Sequence, residues 1–202
     1  MERMLLEDEA GPDPIRLFKR WFEEAREAVP VLPEGMTLAT TTVDGTPSAR
    51  VVLLKEVDER GFVFYTNVES RKGAELAENP RAALVFWWRP LERQVRVEGQ
   101  VEQVSDAEAD AYFRNRARGS QLGAWASAQS RAIPDRGALE RRFEALAEAY
   151  RGREVPRPSF WGGYRVFPAT IEFFQSRPDR LNDRLHYRRL EGGNWRMERL
   201  AP

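Results

Sequence analysis

The segment Ser-Arg-Lys-Gly at residues 70–73 places basic side chains directly before a stretch of helical periodicity. The first turn of a helix has free backbone N–H groups and a partial positive charge, so it can bind a phosphate group. Arg71 could donate two parallel hydrogen bonds to phosphate oxygens, and Lys72 could add a point charge. The alternative is that both basic side chains are simply solvated at a helix start. The motif therefore indicates phosphate binding without proving it.

A second segment, residues 50–55 (RVVLLK), has a basic residue at each end of an apolar strand-like run. Side chains alternate along a strand, which predicts Arg50 on one face and Lys55 on the other. Without further support, the simpler interpretation is that both charges reach solvent at the ends of a strand.

A third segment, residues 112–130, has polar and aromatic side chains at four-residue spacing. The spaced residues are Tyr112, Arg116 and Ser120. In an unbroken helix they would line one face and could bind a flat phosphorylated ligand, although Gly119 favours a bend. An ordinary polar helix face with a half-buried tyrosine is the alternative. Gln129 and Ser130 close the segment and could either cap a helix or contact a ligand.

Residues 180–189 (RLNDRLHYRR) combine arginines, an aspartate, an asparagine and the single histidine of the chain. Strand alternation predicts that Arg180, Asn182 and Arg184 share one face. His186 lies in alternation with Arg184, so a solvent-facing or sheet-pairing role is favoured over a catalytic one.

Composition excludes several classes of chemistry. Lys+Arg and Asp+Glu are 32 each, and this zero net charge argues against a general nucleic-acid binder. The absence of cysteine excludes disulfides, thiol nucleophiles and thiolate metal sites, and a single histidine argues against a histidine-rich metal site. No apolar run approaches the ~20 residues that span a bilayer, and the acidic start does not resemble a signal peptide. These features predict a soluble cytoplasmic protein.

Catalytic motifs are also scarce. The chain has no Walker loop, no Gly-x-Gly-x-x-Gly motif and no convincing Ser/His/Asp set. Several potential phosphate sites with so little acid–base machinery favour chemistry that is carried by a cofactor.

Periodicity predicts the elements that position these residues. An amphipathic helix is predicted over 13–29, with Asp13 as N-cap and Pro14 at its first position. Strands are predicted at 36–42, 47–57, 61–67, 81–88, 92–104, 164–176, 180–190 and 194–200. Further helices are predicted at 70–79, 106–118, 121–130 and 136–152. The pattern predicts one α+β domain over 1–202, mainly β, with a barrel or strongly curved sheet, flanking helices and a flexible arm at 1–12.

These segments, in this order, resemble the pyridoxamine 5′-phosphate oxidase family of FMN-dependent enzymes that make pyridoxal 5′-phosphate. The likeness runs from about residue 13 to the C-terminus. Its motifs are RVVLLK (50–55), FYTN (64–67), SRKG (70–73), LERQVRVEG (91–99), SQLGAWASAQS (120–130), PSFWGGYRV (158–166), IEFFQ (171–175), DRLNDR (179–184) and RLAP (199–202). The resemblance implies an FMN-binding split β-barrel homodimer with FMN at the subunit interface.

The resemblance also implies roles for individual residues. Flavin contacts are implied for Arg50, Lys55, Tyr65, Thr66, Arg71, Lys72, Gln94, Gln129, Ser130, Phe174 and Arg184, several of them from the other subunit. The implied contacts to the substrate phosphate are Lys55, Tyr112, Arg116 and Ser120. Arg180 and Asn182 are implied to lie over the reacting carbon as catalytic and substrate-binding residues. The implied reaction oxidises pyridoxamine or pyridoxine 5′-phosphate at C4′ with O₂ as acceptor and H₂O₂ as product.

Three features depart from the family pattern. Phe174 stands where the family usually has Trp, and Asn182 stands where it usually has His, so residue 182 cannot titrate near neutral pH. The segment before Asp13 has no clear counterpart of the arm that closes over substrate in many members. Two other functions therefore stay open: a related flavin oxidase of another flat substrate, as in the phenazine pathway, and a non-catalytic flavin-binding or pyridoxal-phosphate-binding protein.

Overall fold

A computed structural model describes residues 4–202 of the chain. The helices of this part are α1 Glu7–Ala10, α2 Pro14–Ala28, α3 Arg71–Glu78, α4 Asp106–Arg114, α5 Arg118–Ala126 and α6 Arg136–Ala149. The strands are β1 Gly35–Thr41, β2 Pro47–Leu53, β3 Glu56–Asp58, β4 Gly61–Asn67, β5 Arg81–Trp88, β6 Arg93–Gln103, β7 Trp161–Gln175, β8 Asp183–Arg189 and β9 Trp195–Arg199.

The strands form one antiparallel sheet in the order β2-β1-β5-β6-β7-β4-β3, and β8 pairs with β7 and β9. The long strand β7 pairs with β4 through its first half and with β8 through its second half, while β6 follows its other edge. A register shift at Glu98/Gly99 bends the β6–β7 pair. The predicted mainly-β fold, with a curved half-barrel sheet and flanking helices, is confirmed.

Helix α2 closes one side of the core. The Asp13 side chain accepts hydrogen bonds from the backbone N–H groups of Ile15 and Arg16, which confirms the predicted N-cap. Phe18 is fully buried and packs edge-on against Phe62 and Phe86, at ring-centroid distances of 4.8 and 5.0 Å. The apolar face that the sequence predicts for this helix is therefore the face that covers the sheet.

Several predicted elements differ from the structure. The single strand predicted over 47–57 is two strands, since β2 ends at Leu53 and β3 begins at Glu56, and the helix predicted over 121–130 is Arg118–Ala126. The helix predicted over 106–118 is broken at residues 115–117, because the N–H of Asn115 and the N–H of Arg116 bond three residues back and tighten the chain. The strand predicted from residue 180 begins only at Asp183, because Pro178–Arg180 form a 3-10 turn that contains left-handed residues.

Residues 4–12, which fall in the predicted arm, contact the C-terminal strands. The N–H of Leu5 donates to Asp183 Oδ2 at 3.1 Å, and Arg199 donates both to the Leu5 carbonyl and to the Glu7 carboxylate. The first three residues of that arm lie outside the described residues. In the part that is described, no helix combines the length and apolarity needed to cross a membrane.

Candidate functional site

A cleft of about 820 Å³ opens beside the ends of β2 and β4 and is closed on its far side by α4 and α5. It brings together most of the predicted ligand contacts, namely Arg50, Lys55, Tyr65, Thr66, Lys72, Tyr112, Arg116, Ser120 and Gln129. Arg50 and Lys55 both reach it, although alternation alone predicts opposite faces, because β2 ends at Leu53 and the chain turns before β3. Residues from distant parts of the sequence therefore share one cavity.

Lys72 is the buried cation of this cleft. Its ammonium group donates to Thr66 Oγ1 at 3.1 Å, to Ser70 Oγ at 3.1 Å and to Gln129 Oε1 at 2.8 Å. All three acceptors are neutral. The pKa of Lys72 is lowered to about 8. Burial is the largest cause, and the nearby positive charge of Arg50 lowers the pKa by more than the negative charge of Glu75 raises it. A buried ammonium held by neutral groups at the start of α3 is a site that an anion would stabilise.

Ser70 occupies the N-cap position of α3, but its side chain does not cap the helix. Its hydroxyl group accepts a hydrogen bond from Lys72 instead. The first N–H groups of α3 are thus not satisfied by the Ser70 side chain, which agrees with a phosphate-binding helix start.

A second cationic position lies across the cleft. Arg116 sits over the ring of Trp161, with its guanidinium carbon 4.7 Å from the ring centroid. Its Nη1 atom is buried and has no hydrogen-bond partner within the described residues. Burial lowers the pKa of Arg116. A buried, open guanidinium N–H beside Ser120 is suited to a second anionic group.

Stacked aromatic rings form a wall of the same cleft. Tyr65 and Tyr112 are parallel, with ring centroids 4.1 Å apart, and Tyr65 is also parallel to Trp161 at 5.5 Å. Gly163 allows this packing, since an added Cβ would lie 2.6 Å from the Tyr65 ring. Sequence analysis missed Trp161 as a member of the site, although the motif PSFWGG that contains it was noted. A flat ligand could lie along this wall.

The remaining predicted residues form a second group on the sheet. Gln94 of β6 pairs with Phe174 of β7, which pairs with Arg184 of β8, so the three side chains form one cross-strand row. Trp87 of β5 pairs with Gln94 and extends the row, with 52% of the residue exposed. Arg184 donates to Glu172 Oε1 and to the Ala201 carbonyl, both at 2.9 Å.

The row and the cleft share no lining residue. Gln94, Phe174 and Arg184 do not line the cleft of their own chain. Thr66 of the cleft pairs with Gly162 on β7, and Phe174 follows Gly162 by twelve residues along that strand.

Arg180 and Asn182 lie in the loop that joins β7 to β8. Asp179 and Arg180 both have left-handed backbone conformations, with φ of 57° and 60°. The expectation that Arg180, Asn182 and Arg184 alternate on one strand face is wrong for the first two, because β8 begins after them. Asn182 Oδ1 instead accepts a hydrogen bond from the backbone N–H of Arg177 at 2.9 Å.

Three further residues lie outside the cleft wall. Arg71 is exposed and bonded to Glu75. Ser130 follows Gln129 in a left-handed conformation with φ of 70° and is exposed. His186 is half-buried on β8 and pairs in register with Glu172 and Glu198, as expected of a sheet-pairing residue.

A curved half-barrel sheet with a cation-lined cleft is the architecture of a flavin-binding split barrel. Comparison with known proteins identifies the family within this class. Residues 22–149 match the family model described as pyridoxamine 5′-phosphate oxidase. Residues 161–202 match the pyridoxine 5′-phosphate oxidase C-terminal dimerisation region. The chain belongs to the pyridoxamine 5′-phosphate oxidase family. It is an oxidoreductase whose cofactor is FMN, and the C-terminal match supports a homodimer.

Curated relatives share much of the sequence. A protein of Cyanothece sp. is 58% identical over 201 residues, which cover 100% of this chain and 94% of the relative. A protein of Rubrobacter xylanophilus is 61% identical over 198 residues, which cover 98% of this chain and 91% of the relative. Both are named pyridoxine/pyridoxamine 5′-phosphate oxidase.

Solved structures show the same fold. PhzG from Burkholderia lata, in complex with tetrahydrophenazine-1-carboxylic acid, is 35% identical with a TM-score of 0.92, covering 100% of this chain and 99% of PhzG. An FMN-binding protein of Nostoc punctiforme related to pyridoxamine 5′-phosphate oxidase is 17% identical with a TM-score of 0.76, covering 95% of this chain and 100% of its own.

The residues present fit FMN. The buried ammonium of Lys72 lacks an anionic hydrogen-bond partner among its three acceptors, and Arg50 adds a second positive charge nearby. A flavin has a phosphate group to place there and a flat ring system to place along the rim of the cleft.

Proposed function

We propose that the protein oxidises pyridoxamine 5′-phosphate and pyridoxine 5′-phosphate to pyridoxal 5′-phosphate in the cytoplasm, with O₂ as the final acceptor and H₂O₂ as product. The observation that supports this most strongly is the presence of two separate cationic positions in one cleft. Lys72 lies at one position and Arg116 at the other, and the stacked rings of Tyr65 and Tyr112 line the same cleft. Two phosphate groups, one of the cofactor and one of the substrate, would match this arrangement.

The proposed flavin contacts come from both subunits. Arg50, Arg71 and Lys72 hold the flavin phosphate, and Lys55, Tyr65, Thr66, Gln129 and Ser130 complete this part of the site. Gln94, Phe174 and Arg184 reach the flavin of the opposite subunit. Two observations support this division: the three row residues do not line the cleft of their own chain, and residues 161–202, which contain Phe174 and Arg184, match a C-terminal dimerisation region.

The substrate phosphate binds to Lys55, Tyr112, Arg116 and Ser120. Arg116 is the residue with an open buried N–H group, so it donates the charge-assisted bond that fixes the phosphate. Fixing the phosphate and stacking the pyridine ring on the aromatic wall orients the carbon that is oxidised. FMN, when bound, supplies the chemistry by accepting a hydride from that carbon.

Arg180 and Asn182 cover the reacting carbon from the partner's loop. The Arg180 guanidinium orients the substrate and stabilises negative charge near the reacting group. Asn182 uses its oxygen to accept from Arg177, so its side-chain amide N–H₂ is the part that can face the substrate. Neither residue is required to act as a strong base.

The alternative function is oxidation of a flat substrate without a phosphate group. The 35% identity to PhzG, which was solved with tetrahydrophenazine-1-carboxylic acid, favours this alternative. Arg116 distinguishes the two functions, because a phosphorylated substrate depends on this guanidinium far more than an extended aromatic acid would.

One set of assays tests the proposal. The flavin-loaded protein is given pyridoxamine 5′-phosphate, pyridoxine 5′-phosphate, unphosphorylated pyridoxamine and tetrahydrophenazine-1-carboxylic acid, and aldehyde and peroxide are followed. We expect turnover of both phosphorylated vitamers, and Arg116→Met should raise their KM by about 100-fold without changing the FMN content. Equal turnover of pyridoxamine and its phosphate would contradict the proposal, and turnover of the phenazine precursor alone would establish the alternative.

A further inference from the structure

We propose that Glu75 is a positioning residue of the flavin-phosphate site, which holds the guanidinium groups of Arg50 and Arg71 in place for the phosphate. This inference rests on the proposed location of that phosphate beside Lys72. Glu75 itself does not line the cleft and would not contact the flavin.

The carboxylate of Glu75 links its own helix α3 to strands β2 and β1 of the sheet. Its Oε1 atom accepts from Arg71 Nε at 2.8 Å, one helical turn back on α3. Its Oε2 atom accepts from Arg50 Nη2 at 2.9 Å, on strand β2. Thr40 of β1 donates its hydroxyl proton to the same oxygen. Both oxygens are thus occupied, and only 4% of the side chain is exposed.

Arg50 is held on several sides by this network. Its Nη1 donates to Thr40 Oγ1, and its Nη2 donates to Ser48 as well as to Glu75. An arginine side chain has several rotatable bonds, and fixing it before the ligand binds reduces the entropy lost on binding. Arg71 is different, because 62% of its side chain is exposed and the Glu75 bond is what restrains it.

The charges also match a phosphate. Arg50, Arg71 and Lys72 contribute three positive charges, and Glu75 contributes one negative charge. Burial raises the pKa of Glu75, but hydrogen bonds from Thr40, Arg71 and Arg50 outweigh it and hold that pKa at about 2, so the group is ionised at neutral pH. The net charge of +2 offsets the charge of about −1.5 to −2 that a phosphate monoester carries at pH 7.

Glu75→Gln separates positioning from simple electrostatics. The substitution removes a negative charge, so electrostatics alone predicts tighter binding of FMN. Positioning predicts weaker binding, because an amide N–H₂ group must face one of the two arginines and can no longer hold both. Riboflavin lacks the phosphate and therefore reports whether the rest of the flavin site is intact.

The experiment measures dissociation constants of the apoprotein for FMN and for riboflavin by flavin fluorescence. Glu78→Gln is the matched control, since Glu78 is exposed and lies one turn further along α3. We expect Glu75→Gln to raise the Kd for FMN by about 10-fold or more and to leave the Kd for riboflavin unchanged. Glu78→Gln should change neither.

Three outcomes would overturn the proposal: unchanged or tighter FMN binding, or an equal loss for both flavins. Lys72→Met provides the benchmark for the site itself. If Lys72→Met leaves the preference for FMN over riboflavin unchanged, the phosphate binds elsewhere. That result contradicts the proposed location of the phosphate, whatever the effect of Glu75→Gln. If Glu75→Gln does not fold, Glu75→Asp replaces it: the charge is kept but the shorter side chain cannot reach both arginines, so the same loss of FMN preference is expected, and an unchanged preference contradicts the role.

Discussion

The side-chain oxygen of Asn182 accepts a hydrogen bond from the backbone N–H of Arg177 at 2.9 Å. This bond closes the loop that holds Asp179 and Arg180 in left-handed conformations, with φ of 57° and 60°. Such conformations are unfavourable for residues other than glycine and persist only where other contacts hold them. Asn182 therefore holds the loop that presents Arg180, in addition to any contact of its own with substrate.

Asn182→His should add a pH dependence of substrate binding, because the Asn182 side chain does not titrate and an imidazole does. A neutral imidazole can accept the Arg177 N–H through Nδ1, but a protonated imidazole has no acceptor. With an ordinary histidine pKa of about 6.5, the loop bond is kept above that pH and lost below it. We expect the KM of the variant for pyridoxine 5′-phosphate to match wild type at pH 8 and to rise several-fold at pH 5.5.

Asn182→Ala is the control for this interpretation, because it removes the acceptor at every pH. Its KM should be raised to a similar extent at pH 8 and pH 5.5 relative to wild type, and its FMN content should stay the same. If the alanine variant had wild-type KM at both values, the loop bond would have no role in substrate binding.

Lys72 should make FMN affinity depend on pH. Burial lowers the pKa of its ammonium to about 8 in the free protein. The phosphate binds the protonated form, so affinity is full below pH 8 and decreases as the pH rises through that value. We expect the Kd for FMN to increase about 25-fold between pH 7.5 and 9.5, while the Kd for riboflavin stays nearly constant.

Lys72→Arg tests the cause of that dependence. Arginine keeps its proton throughout this range, so the dependence on pH should largely disappear even if absolute affinity falls. A variant that retained the full decline above pH 8 would show that another group titrates in the site.

The proposed sharing of the site between subunits predicts complementation. Lys72→Ala damages the cleft, and Arg184→Ala damages the row that serves the partner's cleft, so each variant alone should be nearly inactive. In a mixed dimer one site receives both lesions and the other receives none. Random mixing should therefore restore about a quarter of wild-type activity. If cleft and row of the same subunit formed one site, every site in the mixture would be damaged and no activity would return.

Local spacing was enough to predict part of this site. The series Tyr112, Arg116 and Ser120 lies within a short segment, and all three residues line the cleft even though the break at 115–117 interrupts the predicted helix face. Of the basic pair at the start of α3, Lys72 lines the cleft and Arg71 does not. The sheet row is different. Gln94, Phe174 and Arg184 become neighbours only through the register of three strands, and the residues alone gave no signal for it; the family resemblance supplied them.

Long-range contacts explain what could not be predicted. Glu75 is visible in the sequence as an i,i+4 partner of Arg71, but its bonds to Arg50 and Thr40 depend on how α3 packs against the sheet. Alternation predicts residues 180–182 as the start of a strand, whereas Pro178 and the left-handed residues Asp179 and Arg180 decide the conformation of this loop.

Gly73 should be the least replaceable residue of the α3 start. A Cβ atom added there would lie 1.9 Å from the backbone carbonyl oxygen of Val68, so the first turn of α3 would have to move. Arg71 and Lys72 would move with it. We expect Gly73→Ala to lower the free energy of unfolding by about 1–3 kcal/mol and to weaken FMN binding.

Gly119→Ala is the matched control, because Gly119 also lies in the first turn of a helix and an added Cβ would meet nothing within 4 Å. It should raise the free energy of unfolding by about 0.4–1 kcal/mol, since alanine restricts the unfolded chain. Urea unfolding of the two apoproteins measures both effects, and equal stability of the two variants would show that α3 can shift away from Val68 without loss.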